Sequence, residues 1–471
     1  MGMDADVRTV AESADISSSP AAVVSLSRQV VRLLMQRQRE GRIDGALRDK
    51  TRLHIADAVA IALAATQGGA LAGQLLDAVT FGAGVGKCSV WGSDERLAPS
   101  LAAFANSALV HVLDFDDIHD AARLHPTAVT LPAALAAAQL VGAAPSLVVD
   151  AVALGNELMC RLGVMYSPTG RGPGSDWFLT QLFGYFGAGL AASTVLGFSE
   201  DQAVSTLGLA YMQAAGGKEA GFGVGSTARA IYPAFAAMGG VHAALLSKGG
   251  IVGPESAMDG AAGLFRIYFG AEPTAEQRET LLAREGWQFS ATEVKPWPCC
   301  RISHPYVAAA LDVRARLQGA SVERVVIDVN ASAAKLCAPL AERRRPRTLQ
   351  DAKYSIPYMT AFTLVHGRAD LRSLDERVLS DPAVQACADR VEVAQTLPDK
   401  PGHPAARISV HTSGAKVLCS APTLAFDLSA NSVREKFDAC LAYADWAAIA
   451  DRLWSRTAGI DREGTVDWLF A

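Results

Sequence analysis

The chain has no CxxC pair: its eight cysteines, Cys88, Cys160, Cys299, Cys300, Cys337, Cys387, Cys419 and Cys440, are scattered along 471 residues. That scatter predicts reduced thiols of a cytoplasmic protein rather than a disulfide framework. It also speaks against an iron–sulfur dehydratase, which needs several cysteine ligands at close, ordered spacing. Positive charge is not in excess, with a formal net charge of -5 and a pI near 6.0, so no phosphate-tracking nucleic-acid surface is expected. No run approaches the ~20 uninterrupted apolar residues of a membrane span. The first twenty residues hold Asp4, Asp6, Glu12 and Asp15 without an apolar stretch, which predicts a frayed, solvated tail rather than a secretory signal. Repeats of solenoid length are missing. The most unusual loop, residues 216–225, is Gly-rich and contains Lys218 and Glu219. Its backbone N–H groups suit an anion, but it matches no phosphate-loop pattern and follows no evident strand.

What is present is apolar text: 50% of residues are hydrophobic and 19% charged, enough to bury a sizeable core. The length predicts two domains. Ala- and Leu-rich segments with helical spacing at 49–65, 100–113, 131–141, 146–162, 203–214 and 228–248 predict a large all-helical part. From about 292 to 427 the character changes to β-branched runs at 322–329, 390–394, 407–412 and 416–418. Helices over 305–317 and 349–366 are expected to cover one face of that sheet. A last helix over 432–455 is expected to return to the first part. The fold class is therefore mostly α, with a discontinuous helical domain over 21–290 and 428–471 and a smaller α+β lid over 291–427.

Three segments carry candidate chemistry. In the first, His111-Val-Leu-Asp-Phe-Asp-Asp-Ile-His119-Asp is followed by Arg123-Leu-His125-Pro126, a dense set of carboxylates and imidazoles between apolar helices. His125 opens a helix through Pro126, and an imidazole at a helix N-terminus stays neutral near pH 7, as general acid–base work requires. Asp114 is placed to orient it. Two other readings stand beside this one: helix caps and core histidines, or a mixed metal site from Asp114, Asp117, His119 and His125, whose spacing matches no zinc or two-metal signature. The second segment is Lys295-Pro-Trp-Pro-Cys-Cys-Arg301-Ile-Ser-His304-Pro305, a proline-braced loop that puts Lys295, Arg301 and His304 at the join between domains. In the third, Tyr358 offers a phenol able to donate to an oxyanion, or else a core aromatic.

Taken together, Leu113-Asp-Phe-Asp-Asp with His125-Pro, Lys295-Pro-Trp-Pro-Cys-Cys-Arg with His304, and Ala352-Lys-Tyr-Ser-Ile-Pro-Tyr358 resemble the MmgE/PrpD family. The resemblance runs from about Arg28 to the C-terminal helix. It implies a homodimer, a site between the two domains that uses no metal or organic cofactor, and dehydration, decarboxylation or epimerisation of carboxylic acids. Asp114, His125, Lys295 and Tyr358 match the family's active-site positions. Four positions depart from it: Ile118 replaces a Thr, Phe178 stands at a His, Arg229 replaces a Lys, and Tyr232 stands where another His would be. Arg229 keeps the charge and gains bidentate geometry, while the lost polar groups imply a less polar ligand.

The resulting expectation is a lyase in which Arg229 and Lys295 bind a small carboxylate substrate and His125 moves the proton. Asp114 partners it, Tyr358 or His304 donates to the enolate, and lid closure excludes water. The alternatives are an epimerase, or a binding protein whose altered positions Ile118, Phe178 and Arg229 have ended catalysis.

Overall fold

A helix that is apolar all round must be surrounded by others. The computed structural model describes residues 24–67, 70–166, 174–400, 402–414, 416–422, 424 and 429–467, and the tail expected over 1–20 lies outside them. Helices run Leu26–Arg39, Gly45–Ala65, Pro99–His111, Thr127–Val141, Pro145–Met165, Leu179–Val195, Glu200–Tyr211 and Tyr232–Lys248. Every residue of Thr127–Val141 as far as Ala138 is buried, so this helix forms the centre of the bundle. Glycines let its neighbours close up: a methyl on Gly187 would lie 2.4 Å from Met159 Cγ, and one on Gly240 2.4 Å from Ala188 Cβ. Polar caps fix the ends, with Asp44 accepting from the Leu47 amide and Ser199 forming a capping box with Gln202.

Three details differ from the sequence reading, the first being that the helix expected over 349–366 is two, Leu349–Lys353 and Ile356–His366. A short antiparallel pair, Cys88–Ser89 with Arg96–Leu97, interrupts the helical part around Gly92, whose φ of 70° makes the turn. The helix expected over 432–455 is two, Ala430–Tyr443 and Ala450–Thr457, broken near Asp445 at φ 61°. The first of these packs on Gly45–Ala65, putting Phe437, Cys440 and Leu441 into the main core. Among the described residues no helix is long and apolar enough to cross a membrane.

The sheet has four strands in the order Val391–Ala394, Val322–Asp328, Arg407–Thr412, Val417–Ser420. The first pair is parallel and the others antiparallel, with Val325 opposite both Val391 and Val410. Alternation puts Val325, Ile327, Ile408 and Val410 inward, against Tyr306, Ala310 and Val313 of helix His304–Arg316 and Ala361 and Leu364 of helix Ile356–His366. The protein is thus mostly α with a small α+β domain.

Candidate active site

Between helix Pro99–His111 and helix Thr127–Val141 the chain crosses the interior as a loop, buried from Val112 through His119. Buried irregular backbone needs partners, and this loop finds them in the segment around Glu293: Ile118 and Glu293 exchange both backbone hydrogen bonds at 2.8 Å. Asp114 adopts φ 53° and Arg123 φ 57°, left-handed conformations that turn the chain twice within ten residues. The loop forms one side of a cavity of about 170 Å³. The remaining walls come from residues within 174–180, from Lys218, Arg229, Tyr232 and Tyr354, and from residues within 300–302, 330–332, 399–400 and 402–405.

His125 reaches this cavity with its ring fixed from behind. Its backbone N–H donates to Thr180 Oγ1 at 3.0 Å, and ring Nδ1 lies 2.6 Å from the carbonyl oxygen of Asp117. A carbonyl only accepts, so Nδ1 carries the proton and Nε2 keeps a lone pair. Burial pushes the imidazole down to about 4, despite Asp116, whose Oδ2 is 3.6 Å from Nδ1. Asp117 is in turn fixed by His54 Nδ1 at 2.8 Å and by the Thr127 amide at 3.3 Å. The orientation expected from Asp114 therefore comes from Asp117, through its main chain.

Asp114 serves Lys295 instead. The Lys295 ammonium, fully buried, donates to Asp114 Oδ1 at 2.6 Å and to the Asp114 carbonyl at 3.0 Å. Burial opposes both charges; mutual attraction outweighs it, lowering the Asp114 carboxyl and raising the Lys295 ammonium. Asp114 lines the cavity and its Oδ2 has no hydrogen-bond partner, whereas Lys295 stands behind it. Asp116 Oδ2 accepts from His111 Nδ1 at 2.8 Å.

Opposite this polar floor stands an aromatic wall with cations. Phe178 stacks on Tyr232 at 4.2 Å, and Ile118 lies beside them in the lining. The Arg229 guanidinium sits 3.4 Å over the Tyr354 ring and donates to the Gly221 carbonyl at 2.8 Å. Lys218 lies 5.9 Å from the Phe178 ring centre. Among the described residues, neither Arg229 nor Lys218 has an ion-pair partner.

Other expected site residues lie elsewhere or are already engaged. Tyr358 is buried outside the cavity and gives its hydroxyl to the Val378 carbonyl at 2.6 Å; the aromatic that reaches the cavity is Tyr354, four positions earlier and short of the helix. His304 also lies outside, its Nε2 3.1 Å from the Cys299 carbonyl. Arg301 touches the cavity with its guanidinium held by both oxygens of Asp120 and by Glu293 at 3.1 Å. The four residues of the metal alternative do not converge, because His119 is taken up by the Gln288 carbonyl at 2.9 Å and the Ala122 amide at 3.0 Å. Two other trios, His111–Asp116–His125 and Asp120–Glu293–His403, bring ligand-type atoms within 4.8 Å. Both already contain the hydrogen bonds just described or, for His403 and Asp120, one of 2.6 Å. Nothing in the sequence spacing of His54, Thr180 and Tyr354 connects them to the loop, and only the fold brings them to it.

The MmgE/PrpD N-terminal domain matches residues 36–277 and the MmgE/PrpD C-terminal domain residues 297–451. A cis-aconitate decarboxylase-like protein of Aspergillus oryzae is 31% identical over 343 residues, 68% of this chain and 69% of the relative. A cis-aconitate decarboxylase of Aspergillus terreus is 26% identical over 336 residues, 66% of each. The human cis-aconitate decarboxylase is 26% identical over 320 residues, 65% of this chain and 63% of its own length. The chain thus spans about two thirds of the curated relatives it matches, and these matches support an enzyme of the lyase class. With both family domains matched in order across most of its length, the chain belongs to the MmgE/PrpD family.

Proposed function

We propose that the chain is a cofactor-independent lyase that removes water or carbon dioxide from a small carboxylic acid by moving a proton at the carbon next to the carboxylate. The observation that carries this reading is His125: Nδ1 is committed to the Asp117 carbonyl at 2.6 Å, so the lone pair is on Nε2 of a ring that lines the cavity. A neutral imidazole takes up a proton as a base. Removing an α-proton leaves negative charge on the carboxylate and adjacent carbon, and Arg229 supplies a cation that no carboxylate among the described residues pairs with. Asp114 Oδ2 is the second proton carrier, with Lys295 behind it keeping the carboxylate ionised in its resting state. In a dehydration the proton taken by His125 and the hydroxide leaving the adjacent carbon together make up the water released. The apolar wall of Ile118, Phe178 and Tyr232 favours an acid with an apolar middle.

The test is proton NMR of a panel of di- and monocarboxylic acids in deuterium oxide, with wild type and His125→Ala. Solvent deuterium entering substrate, or turnover, is expected with wild type and about 10²–10⁴-fold slower in the variant. Unchanged exchange in the variant removes His125 from the mechanism. Exchange without loss of water or carbon dioxide would assign an epimerase.

A further inference from the structure

The loop over residues 216–225 is built to present charge. The Phe178 amide donates to the Gly216 carbonyl at 2.7 Å and the Lys218 amide to the Asp176 carbonyl at 2.9 Å, docking the loop on the aromatic wall. Gly221 N–H closes a turn on the Lys218 carbonyl at 2.8 Å, and the same Gly221 offers its carbonyl to Arg229. At the far end the Gly225 amide donates to Asp351 Oδ1 at 2.9 Å, three residues before Tyr354, on which Arg229 rests. Lys218 and Arg229 are thus two cations on one scaffold, on either side of Gly221, both facing the cavity.

Charge counting shows what they lack. Of the acids in the lining, Asp114 is paired with Lys295 and Asp120 with Arg301. Asp399 acts on Arg123, and Lys400 is exposed at the mouth. Apart from the exposed Lys400, two positive charges of the lining remain, Lys218 and Arg229. The environment of Lys218 has the same character: burial first, then the cations Arg123, Arg229 and Lys335, push its ammonium down to about 7. Such a group gains most from an arriving anion. A monocarboxylate held at Arg229 would leave Lys218 uncompensated.

We propose that Lys218 binds a second anionic group of the substrate, so that the acid is a dicarboxylate with one carboxylate at Arg229 and the other at Lys218. The inference rests on the carboxylic-acid reading above and deepens it. Phe178 then lies beneath the stretch between the carboxylates, and Lys218 sets the preference for a doubly charged acid.

The experiment is isothermal titration of the full chain with succinate, glutarate and adipate, each against the monoacid of equal length: butyrate, valerate and hexanoate. Wild type should bind at least one diacid tenfold or more tighter than its monoacid. Lys218→Met should abolish that preference while changing monoacid affinity less than twofold, and Lys218→Arg should retain it. Absence of diacid binding to wild type, absence of a preference, or equal weakening of both acids in Lys218→Met would overturn the proposal. These saturated acids need no turnover. A missing preference therefore sinks the Lys218 subsite and leaves His125 untouched, while absence of deuterium exchange sinks the acid–base reading and leaves the subsite standing.

Discussion

Lys295 holds Asp114 at both ends, its ammonium 2.6 Å from the side-chain Oδ1 and 3.0 Å from the main-chain carbonyl of a residue 181 positions earlier. One lysine from the segment that joins the helical part to the sheet thus fixes both the charge and the backbone of the loop that carries the site.

Removing it strands a buried carboxylate. Lys295→Met should destabilise the protein by about 3–5 kcal/mol, the usual result of breaking a buried pair at one partner. The double variant Lys295→Met with Asp114→Asn should recover part of that loss. Urea unfolding of wild type, Lys295→Met, Asp114→Asn and the double variant measures it; additive single effects would mean the two charges do not interact.

Acid should destabilise the fold through its histidines. Burial pushes the His125 imidazole down to about 4 in the folded chain, against an ordinary value of 6.5. Between these values the unfolded chain takes a proton that the native one refuses. Stability is fully present above pH 6.5 and falls as pH drops toward 4, by about 3 kcal/mol for this residue. Burial shifts His54, His119 and His304 in the same direction. Urea midpoints from pH 7 to 4 should fall steadily, with a shallower slope in His125→Gln.

Two tyrosines four residues apart should behave differently. Tyr358→Phe removes a bond to the Val378 carbonyl outside the cavity and should cost about 1 kcal/mol of stability with kcat and KM unchanged. Tyr354→Leu removes the surface under Arg229 and should raise the KM for the acid about thirtyfold, in keeping with a desolvated cation–π contact of about 2 kcal/mol. Steady-state kinetics on both variants decides it.

Much of this was legible in the chain. The helical and β-branched segments fell where the helices and strands are, because alanine-rich apolar periodicity and alternation are local signals. The site was legible as a neighbourhood: Asp114, Ile118, His125, Phe178, Arg229 and Arg301 all line one cavity. What local sequence does not encode is which partner a side chain chooses. Tyr354 and Tyr358 lie in one short segment, and only the packing of helix Ile356–His366 decides which ring turns inward. The support of His125 by Asp117's carbonyl was equally hidden, since a main-chain acceptor leaves no residue-type signature.

Asp120 should act as a clasp between the two parts of the chain. It binds Arg301 through both oxygens and His403 at 2.6 Å. Asp120→Ala leaves the buried Arg301 charge with Glu293 as its remaining acid and should lower stability by about 1–3 kcal/mol. It should also open the loop at 402–405, which lines the cavity, to limited proteolysis. Unchanged cleavage in that loop would show that the clasp does not restrain it.

The left-handed turn at Asp114 limits what any substitution there can mean. At φ 53° most side chains meet a steric penalty of about 1–2 kcal/mol, which glycine escapes and Asn and Asp largely avoid. The backbone thus favours three letters out of twenty before chemistry chooses, and of those three only Asp can answer the charge of Lys295. Asn at this position changes the electrostatics and almost nothing else, whereas Glu, the nearest match in charge, would disturb the turn itself.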